Sequence, residues 1–115
     1  MAGAYRDERH STDRLMAVTH ILLYRFKPSV PDSRIGEHLD FIKGLRWRLE
    51  GLIDLKCGRD VGTGNGKYTH GFVMTFASAE ALANYGKAEL HRELVETFRD
   101  DVEEKVVFDI ASTPV

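Results

Sequence analysis

The sequence is poor in cysteine and in long apolar runs, and it carries little net charge. Its single cysteine, Cys57, excludes an intramolecular disulfide and a metal centre built from several thiolates. No run approaches the roughly 18 consecutive apolar residues of a membrane-spanning helix, and the first residues lack the apolar segment of a signal peptide. The net charge of -2 disfavours a surface dedicated to nucleic acid or to anionic membranes. We therefore expect a cytoplasmic protein without a nucleic-acid or membrane partner.

The chain divides into a short polar segment and one domain. Residues 1–15 are charged and show no apolar period, so they predict a flexible N-terminal extension. Residues 16–115 have the size of a single domain, which typically contains about 100–150 residues.

Two segments whose side chains alternate with a period of two predict two strands of one sheet. Residues 17–27 and 68–76 each present one face of large, mostly apolar side chains with a single histidine near its start. The opposite faces are smaller but still apolar, so both sides of the sheet require cover. The large faces carry Val18, His20, Leu22, Tyr24, Phe26, His70, Phe72, Met74 and Phe76.

Helical and strand periods alternate along the rest of the domain. Apolar residues recur at steps of three and four over residues 35–49, which predicts an amphipathic helix that ends near Gly51. A second helix is predicted over residues 78–101, and strands are predicted over residues 52–60 and 102–110. The order β-α-β-β-α-β, with right-handed crossovers, predicts a ferredoxin-like α+β fold in which both helices cover one face of an antiparallel sheet.

Three glycines, at positions 62, 64 and 66, lie between the second and third predicted strands. A loop that cradles phosphate requires a helix directly after the glycines, whereas a strand is predicted there. Asn65-Gly66 between two strands is typical of a β-hairpin. We therefore interpret this segment as a hairpin.

The sheet face opposite the two predicted helices has no predicted cover within the chain. Its apolar residues include Ile21, Leu23 and Val73, and a second copy of the chain is the simplest partner for them. The sequence thus predicts a homodimer. Asp109, an isolated charge in the apolar last strand, should lie at the rim of the interface or find a polar partner.

A set of short stretches carries a resemblance to a known family by its order and spacing. These are residues 18–28, residues 68–72, Phe76, Tyr85, His91 and residues 106–110. Together they resemble the Dabb family, the stress-responsive dimeric α/β-barrel domain, over residues 16–110. The resemblance implies a homodimer whose two sheets close into a dimeric α/β barrel, with a pocket between sheet and helices in each subunit.

A plant polyketide cyclase of the Dabb family uses a tyrosine and a histidine as an acid/base pair. The resemblance assigns these catalytic roles to Tyr85 and His91, and it matches two further motif histidines to His20 and His70. The implied chemistry, ring closure or isomerisation, requires no cofactor. Most members have His-Pro where this chain has Ala88-Glu89, a departure that removes a helix breaker.

The spacing of Tyr85 and His91 sets a geometric condition on that pair. Six residues along a straight helix of ~3.6 residues per turn place two side chains about 120° apart, so they converge only if the helix bends. We predict a bend between Gly86 and Glu89, because glycine is a weak helical residue. Both side chains should then border a cavity suited to a small hydrophobic or aromatic ligand. Its predicted substrate-binding residues are His20, Leu22, Tyr24, His70, Phe72 and Met74.

His20 and His70 are not predicted to share a metal ion. Each lies near the start of its strand, and antiparallel neighbours place their starts at opposite ends of the sheet. No carboxylate on the large faces of these two strands completes a ligand set. We therefore predict no metal site.

Three functions remain open from the sequence. The first is a small-molecule-binding homodimer with cofactor-free cyclase or isomerase activity. The second is a non-catalytic, stress-related assembly protein, in which Tyr85 is a core aromatic residue and His91 a helix-edge residue. The third is a monooxygenase, because antibiotic-biosynthesis monooxygenases share the dimeric barrel, but no haem-ligand pattern supports it. An enclosed cavity favours the first function, and a cavity filled by side chains favours the second.

Three further side chains have simpler interpretations. His38 lies beside the apolar stripe of the first helix and is predicted to be half-exposed. Trp47 lies off that stripe, a position that suits an interface. Cys57 shares a predicted strand face with Ile53 and Leu55 and is predicted to be an unreactive, packed thiol.

Overall fold

The computed structural model describes residues 16–63 and 66–111. The predicted extension, residues 1–15, and Asn65 of the predicted hairpin lie outside the described residues. The strands and helices follow in the predicted order. The first predicted helix ends at Gly44 and continues as a 3₁₀ turn instead of reaching Gly51, and the second predicted helix is divided in two. The elements are β1 (Val18–Phe26), α1 (Asp32–Gly44), a 3₁₀ turn (Leu45–Trp47), β2 (Leu52–Arg59), β3 (His70–Phe76), α2 (Ala79–Lys87), α3 (Glu89–Asp101) and β4 (Val102–Ala111).

The four strands form one antiparallel sheet in the order β2-β3-β1-β4. β1 and β3, which correspond to the strands predicted over residues 17–27 and 68–76, lie at its centre, with His20 opposite Met74 and Tyr24 opposite His70. This strand order, with the helices packed on one face, is the predicted ferredoxin-like α+β fold.

The core lies between the sheet and the helices. Tyr24, Met74 and Phe76 from the sheet are fully buried, and Ile42 of α1 and Leu45 of the 3₁₀ turn pack with them in one apolar cluster. Each large apolar side chain that is fully buried contributes about 1.5–3 kcal/mol to folding. The alternating large residues of β1 and β3 therefore hold the helical layer on the sheet.

A close approach between the start of β2 and the start of α2 requires a glycine. Gly51 adopts a φ of 82°, and a Cβ there would lie 2.6 Å from the Cβ of Ala81. The Gly51 carbonyl accepts a hydrogen bond from the Ala77 N–H at 2.8 Å. Ser78 follows as the N-cap of α2, and its hydroxyl accepts a hydrogen bond from the Ala81 N–H at 3.1 Å. Gly51 thus lets β2 begin directly beside the first turn of α2.

The other face of the sheet is open within the described part of the chain. Leu23 is 41% exposed, Phe108 is 61% exposed and Ile110 is 45% exposed. Phe108 lies opposite Ile21 in the β1–β4 register, so these apolar side chains form one surface. Contiguous exposed apolar surface, such as these side chains of β1 and β4 form, marks an interaction site. Trp47, predicted to lie off the helical stripe, is in the 3₁₀ turn, outside the sheet, and is 83% exposed.

The prediction that Ile53, Leu55 and Cys57 share one strand face is wrong at Ile53. The register of β2 against β3 shifts between Leu52 and Asp54. Because such a bulge adds one residue to a strand, Ile53 turns outward and is 58% exposed, whereas Leu55 is buried. Burial raises the pKa of the Cys57 thiol, as expected of an unreactive side chain.

The prediction that His38 is half-exposed is also wrong. Its side chain is only 2% exposed, and its ring lies 5.6 Å, 5.2 Å and 4.5 Å from the rings of Tyr24, Phe26 and Phe98. These three rings pack around the imidazole, so the buried face of α1 includes His38 together with Ile42. Neither ring nitrogen of His38 has a hydrogen-bond partner among the described atoms. Burial lowers the pKa of His38 to about 4.

Candidate functional site

The second predicted helix breaks where the sequence predicts a bend. Ala88, between α2 and α3, is extended, with a φ of -74° and a ψ of 150°. Its N–H donates to the Tyr85 carbonyl at 3.0 Å, and its carbonyl accepts from the His91 N–H at 3.1 Å. The predicted bend is confirmed, but the extended residue is Ala88, whereas Gly86 remains helical.

Tyr85 and His91 converge because the chain changes direction at Ala88. The centroids of the two rings are 4.8 Å apart, and the rings meet edge to face at 79°. The Tyr85 side chain is 4% exposed, and its hydroxyl has no hydrogen-bond partner among the described atoms. The two candidate catalytic side chains are therefore neighbours, which a straight helix would not allow.

Burial shifts both groups in directions that suit proton exchange. It raises the pKa of Tyr85 above its usual range, so the phenol stays protonated and can donate a hydrogen bond. Burial, and then the nearby His20 and Lys105, lowers the pKa of His91, so its imidazole is neutral at pH 7 and can accept a proton. A neutral base beside a protonated acid is an arrangement that general acid–base catalysis uses.

His20 borders the same space. Its ring centroid lies 5.8 Å from that of Tyr85 and 6.0 Å from that of Phe72. Asp109 faces His20 across the β1–β4 register and places its Oδ1 2.5 Å from His20 Nδ1. The expectation that Asp109 finds a polar partner is confirmed. With Nδ1 bound to a carboxylate, Nε2 is the nitrogen left to contact a ligand.

A small cavity lies among these side chains, between the sheet and the helices. Its volume is about 90 Å³. One water molecule takes up roughly 30 Å³ of the liquid, and an engineered cavity of about 150 Å³ binds benzene. The cavity therefore admits a small chemical group. Its polar lining is His20, Tyr85, His91 and Lys105, and its apolar lining includes Leu22, Phe72 and Phe98.

Three of the predicted binding residues lie outside the lining of this cavity. Tyr24 and Met74 are fully buried in the core. His70 lies towards the opposite end of β3 from His20, as predicted, since it pairs with Tyr24. Its Nδ1 is 2.8 Å from the hydroxyl of Thr69, and burial lowers its pKa. A part for Tyr24, His70 and Met74 in ligand binding stays a prediction.

Sequence reasoning missed two cavity residues on β4, Lys105 and Val107. The available signal is the alternation of β4, which places both on one face together with Asp109. In the register, Val107 lies opposite Leu22. The alternation alone does not predict that β4 pairs with β1. This pairing brings Lys105 and Val107 to the cavity.

The described residues contain neither a membrane-spanning helix nor a metal cluster. In residues 16–63 and 66–111, no helix has the length and apolar character needed to cross a bilayer. Across the same ranges, no three or more histidine, cysteine, aspartate or glutamate side chains are arranged to hold a metal ion.

The antiparallel sheet, its one helical layer and the cavity beneath a broken helix define a ferredoxin-like α+β domain. The family model of the Stress responsive A/B Barrel Domain, Dabb, matches residues 18–112. The chain therefore belongs to the Dabb family. The matched range begins at the first residue of β1.

Two curated relatives and one solved structure illustrate the relationship. The chain is 33% identical over 100 residues to stress-response A/B barrel domain-containing protein HS1 of Arabidopsis thaliana, covering 85% of this chain and 92% of that protein. It is 27% identical over 96 residues to olivetolic acid cyclase of Cannabis sativa, covering 82% of this chain and 95% of the cyclase. A dimeric ferredoxin-like protein of unknown function from Thermobifida fusca shares the fold, with a TM-score of 0.76 at 20% identity, covering 84% of this chain and 92% of that one.

Proposed function

We propose that the protein is a cytoplasmic homodimer that binds a small hydrophobic or aromatic molecule in this cavity. Its activity is a cofactor-free ring closure or isomerisation, with His91 and Tyr85 as the acid/base pair. The observation that carries the proposal is the 4.8 Å separation of the two rings, which the break at Ala88 produces. The 27% identity to olivetolic acid cyclase supports the cyclase class.

The chemistry follows from the protonation states of the two side chains. Neutral His91 accepts a proton from a carbon beside a carbonyl group, and the Tyr85 phenol donates a hydrogen bond to the carbonyl oxygen, where negative charge develops. The apolar walls, including Leu22 and Phe72, exclude water and so strengthen both interactions. For ring closure, the enolate attacks a second carbonyl carbon of the same molecule, the π bond of that carbonyl opens, and the alkoxide formed takes the proton from the His91 imidazolium. For isomerisation, His91 returns the proton to a different carbon.

The open sheet face supports the homodimer. Leu23, Phe108 and Ile110 are each more than 40% exposed, and a second copy related by a two-fold axis would cover them. A stable interface buries roughly 800 Å² per partner. The dimeric state described for the Thermobifida fusca protein is consistent with this assembly.

A non-catalytic assembly protein is the second candidate. The cavity of about 90 Å³ is small, whereas the exposed apolar face extends over β1 and β4. Under this alternative, Tyr85 and His91 contribute only packing. Their replacement then lowers stability, and the wild type has no activity to lose.

Proton exchange distinguishes the two candidates. We expect the wild type to accelerate deuterium incorporation into the methyl group of acetophenone and the methylene group of butanone in D₂O, followed by proton NMR. His91→Ala and Tyr85→Phe should each reduce the acceleration by roughly 10²-fold or more, with the oligomeric state unchanged. Tyr68→Phe, which changes a tyrosine outside the cavity, is the control. If folded wild type exchanges both ketones no faster than buffer, the assembly function replaces the catalytic one.

A further inference from the structure

We infer that the cavity selects a ligand with a negative charge, a small organic carboxylate with an apolar body, and that Lys105 recognises the carboxylate. The inference rests on the proposed function and specifies the ligand class of the same cavity.

Lys105 reaches the cavity from the helix-facing side of β4, where it lies opposite Tyr24 of β1. Its ammonium is 5.8 Å from the centroid of the Phe98 ring, and Phe98 is itself part of the cavity wall. A cation–π contact of this kind positions an ammonium over an aromatic face. Asp109, four residues further along β4, is bound to His20. The cavity thus has an ammonium at its wall and no carboxylate among its lining residues.

Neighbouring acidic side chains do not neutralise Lys105. Glu103 and Glu104, which precede it on β4, are both paired with Arg25, at 2.8 Å and 3.0 Å. In the described part of the chain, Lys105 makes no ion pair with any carboxylate. Its charge is therefore available to an anion from solution, for which a charge-assisted hydrogen bond is stronger than a neutral one.

Lys105 also stands between the cavity and a larger surface groove of about 320 Å³. Val95, Phe98 and Lys105 line both spaces. The groove is also lined by Arg99 and by Glu103 and Glu104, and both of these glutamates are paired with Arg25. A molecule too large for the cavity can place its reacting group beside His91 and extend past Lys105 into the groove. A carboxylate at the junction would meet the ammonium, while the apolar body contacts Phe98 and Val95. This arrangement favours an acid over a neutral ketone of the same shape.

Matched pairs of probes test the charge. Benzoate and benzamide, and hexanoate and hexanamide, have similar shapes but differ in charge at pH 7. We expect NMR titration of the full-length wild type, observed at the ring signals of His91 and Tyr85, to show each carboxylate binding at least tenfold more tightly than its amide. Lys105→Met, which keeps an unbranched side chain, should abolish the preference, and Lys105→Arg should retain it. Lys43→Met, which removes an exposed lysine of α1, is the control with the same change in net charge.

The outcomes separate this inference from the proposed function. Equal binding of the two members of each pair, or an unchanged preference in Lys105→Met, overturns the inference and leaves the ligand cavity standing. Carboxylate binding that leaves the His91 and Tyr85 signals unshifted indicates adsorption elsewhere and also overturns it. If no probe binds the wild type, the ligand cavity itself is refuted and the inference falls with it. Should Lys105→Met perturb β4, Lys105→Arg still tests the inference. This variant keeps the positive charge and should therefore keep the preference for the carboxylate over the amide.

Discussion

Asp109 and His20 form a carboxylate–histidine pair that links the last strand to the first at the wall of the cavity. Asp109 Oδ1 lies 2.5 Å from His20 Nδ1, and the two residues face each other across the β1–β4 register. The Asp109 side chain is 46% exposed, whereas that of His20 is 13% exposed. The pair therefore contributes more to the orientation of the imidazole than to stability, because half-exposed ion pairs contribute little to folding.

Asp109→Asn should accordingly reduce proton exchange more than it reduces stability. The pair contributes at most about 1 kcal/mol to folding, whereas a misoriented group at the reacting atoms costs roughly tenfold to a hundredfold in rate. The exchange rate and the thermal melt are measured on the same sample. Asp54→Asn, which alters a similarly exposed aspartate paired at 3.9 Å with Arg46, is the control. If the Asp109→Asn variant exchanges the ketone protons as fast as the wild type does, Asp109 has only a structural role.

Phe108→Glu should dissociate the proposed homodimer. Phe108 is 61% exposed at the open sheet face, and burying an unpaired carboxylate there would cost several kcal/mol. Sedimentation at micromolar concentration should show a dimer for the wild type and a monomer for the variant. Val61→Glu, at a position that is 95% exposed outside the sheet, is the control and should remain dimeric. A monomeric wild type at that concentration contradicts the homodimer directly.

The fold was predictable because its signals are local. The alternation of large apolar residues in β1 and β3 specifies which face is buried, and the helical period in α1 specifies the layer that covers it. The errors at Ile53 and His38 have non-local causes. The bulge that exposes Ile53 arises from the pairing of β2 with β3, and the burial of His38 depends on rings from β1 and α3.

The candidate site was predictable only in part, for the same reason. The spacing of Tyr85 and His91 predicts that they need a bend, and the bend is present. Its location at Ala88 depends on backbone hydrogen bonds that join α2 to α3, for which alanine gives no sequence signal. Lys105 enters the cavity because β4 pairs with β1, a contact between strands that are distant in the sequence.

Glu89→Pro should preserve the fold and raise the free energy of unfolding by about 0.4–1 kcal/mol, because proline restricts the unfolded chain. Ala88 is already extended, with a ψ of 150°, as a residue before proline prefers. Glu89 is the first residue of α3, where the missing N–H has no helical acceptor. The variant also loses the ion pair between Glu89 and Arg92. Because this pair is exposed, its loss reduces the gain in the free energy of unfolding by only a few tenths of a kcal/mol.

Gly86→Pro provides the contrast to Glu89→Pro, since position 86 lies inside α2. Proline within a helix costs about 3 kcal/mol or more. Urea denaturation of both variants at pH 7 measures the difference. Equal destabilisation by the two prolines would contradict a helix break at Ala88.

His38 should make stability depend on pH. Burial lowers its pKa to about 4, against about 6.5 for an unperturbed histidine. Because the pKa is lower in the folded state, the unfolded chain binds the proton more readily. The contribution to stability is complete above about pH 6.5 and is lost as the pH falls towards 4, a total of about 3 kcal/mol.

His38→Leu should remove most of this dependence, because leucine does not titrate and leaves no unpaired ring nitrogen. Urea denaturation at pH 7 and pH 4.5 should show that the wild type loses about 2–3 kcal/mol more than the variant between the two values. A residual slope is expected from His70 and His91, whose pKa values burial also lowers. His91→Leu, which removes a partly exposed histidine, should keep most of the wild-type slope. Equal losses in wild type and His38→Leu would show that His38 is not the group whose protonation opposes folding.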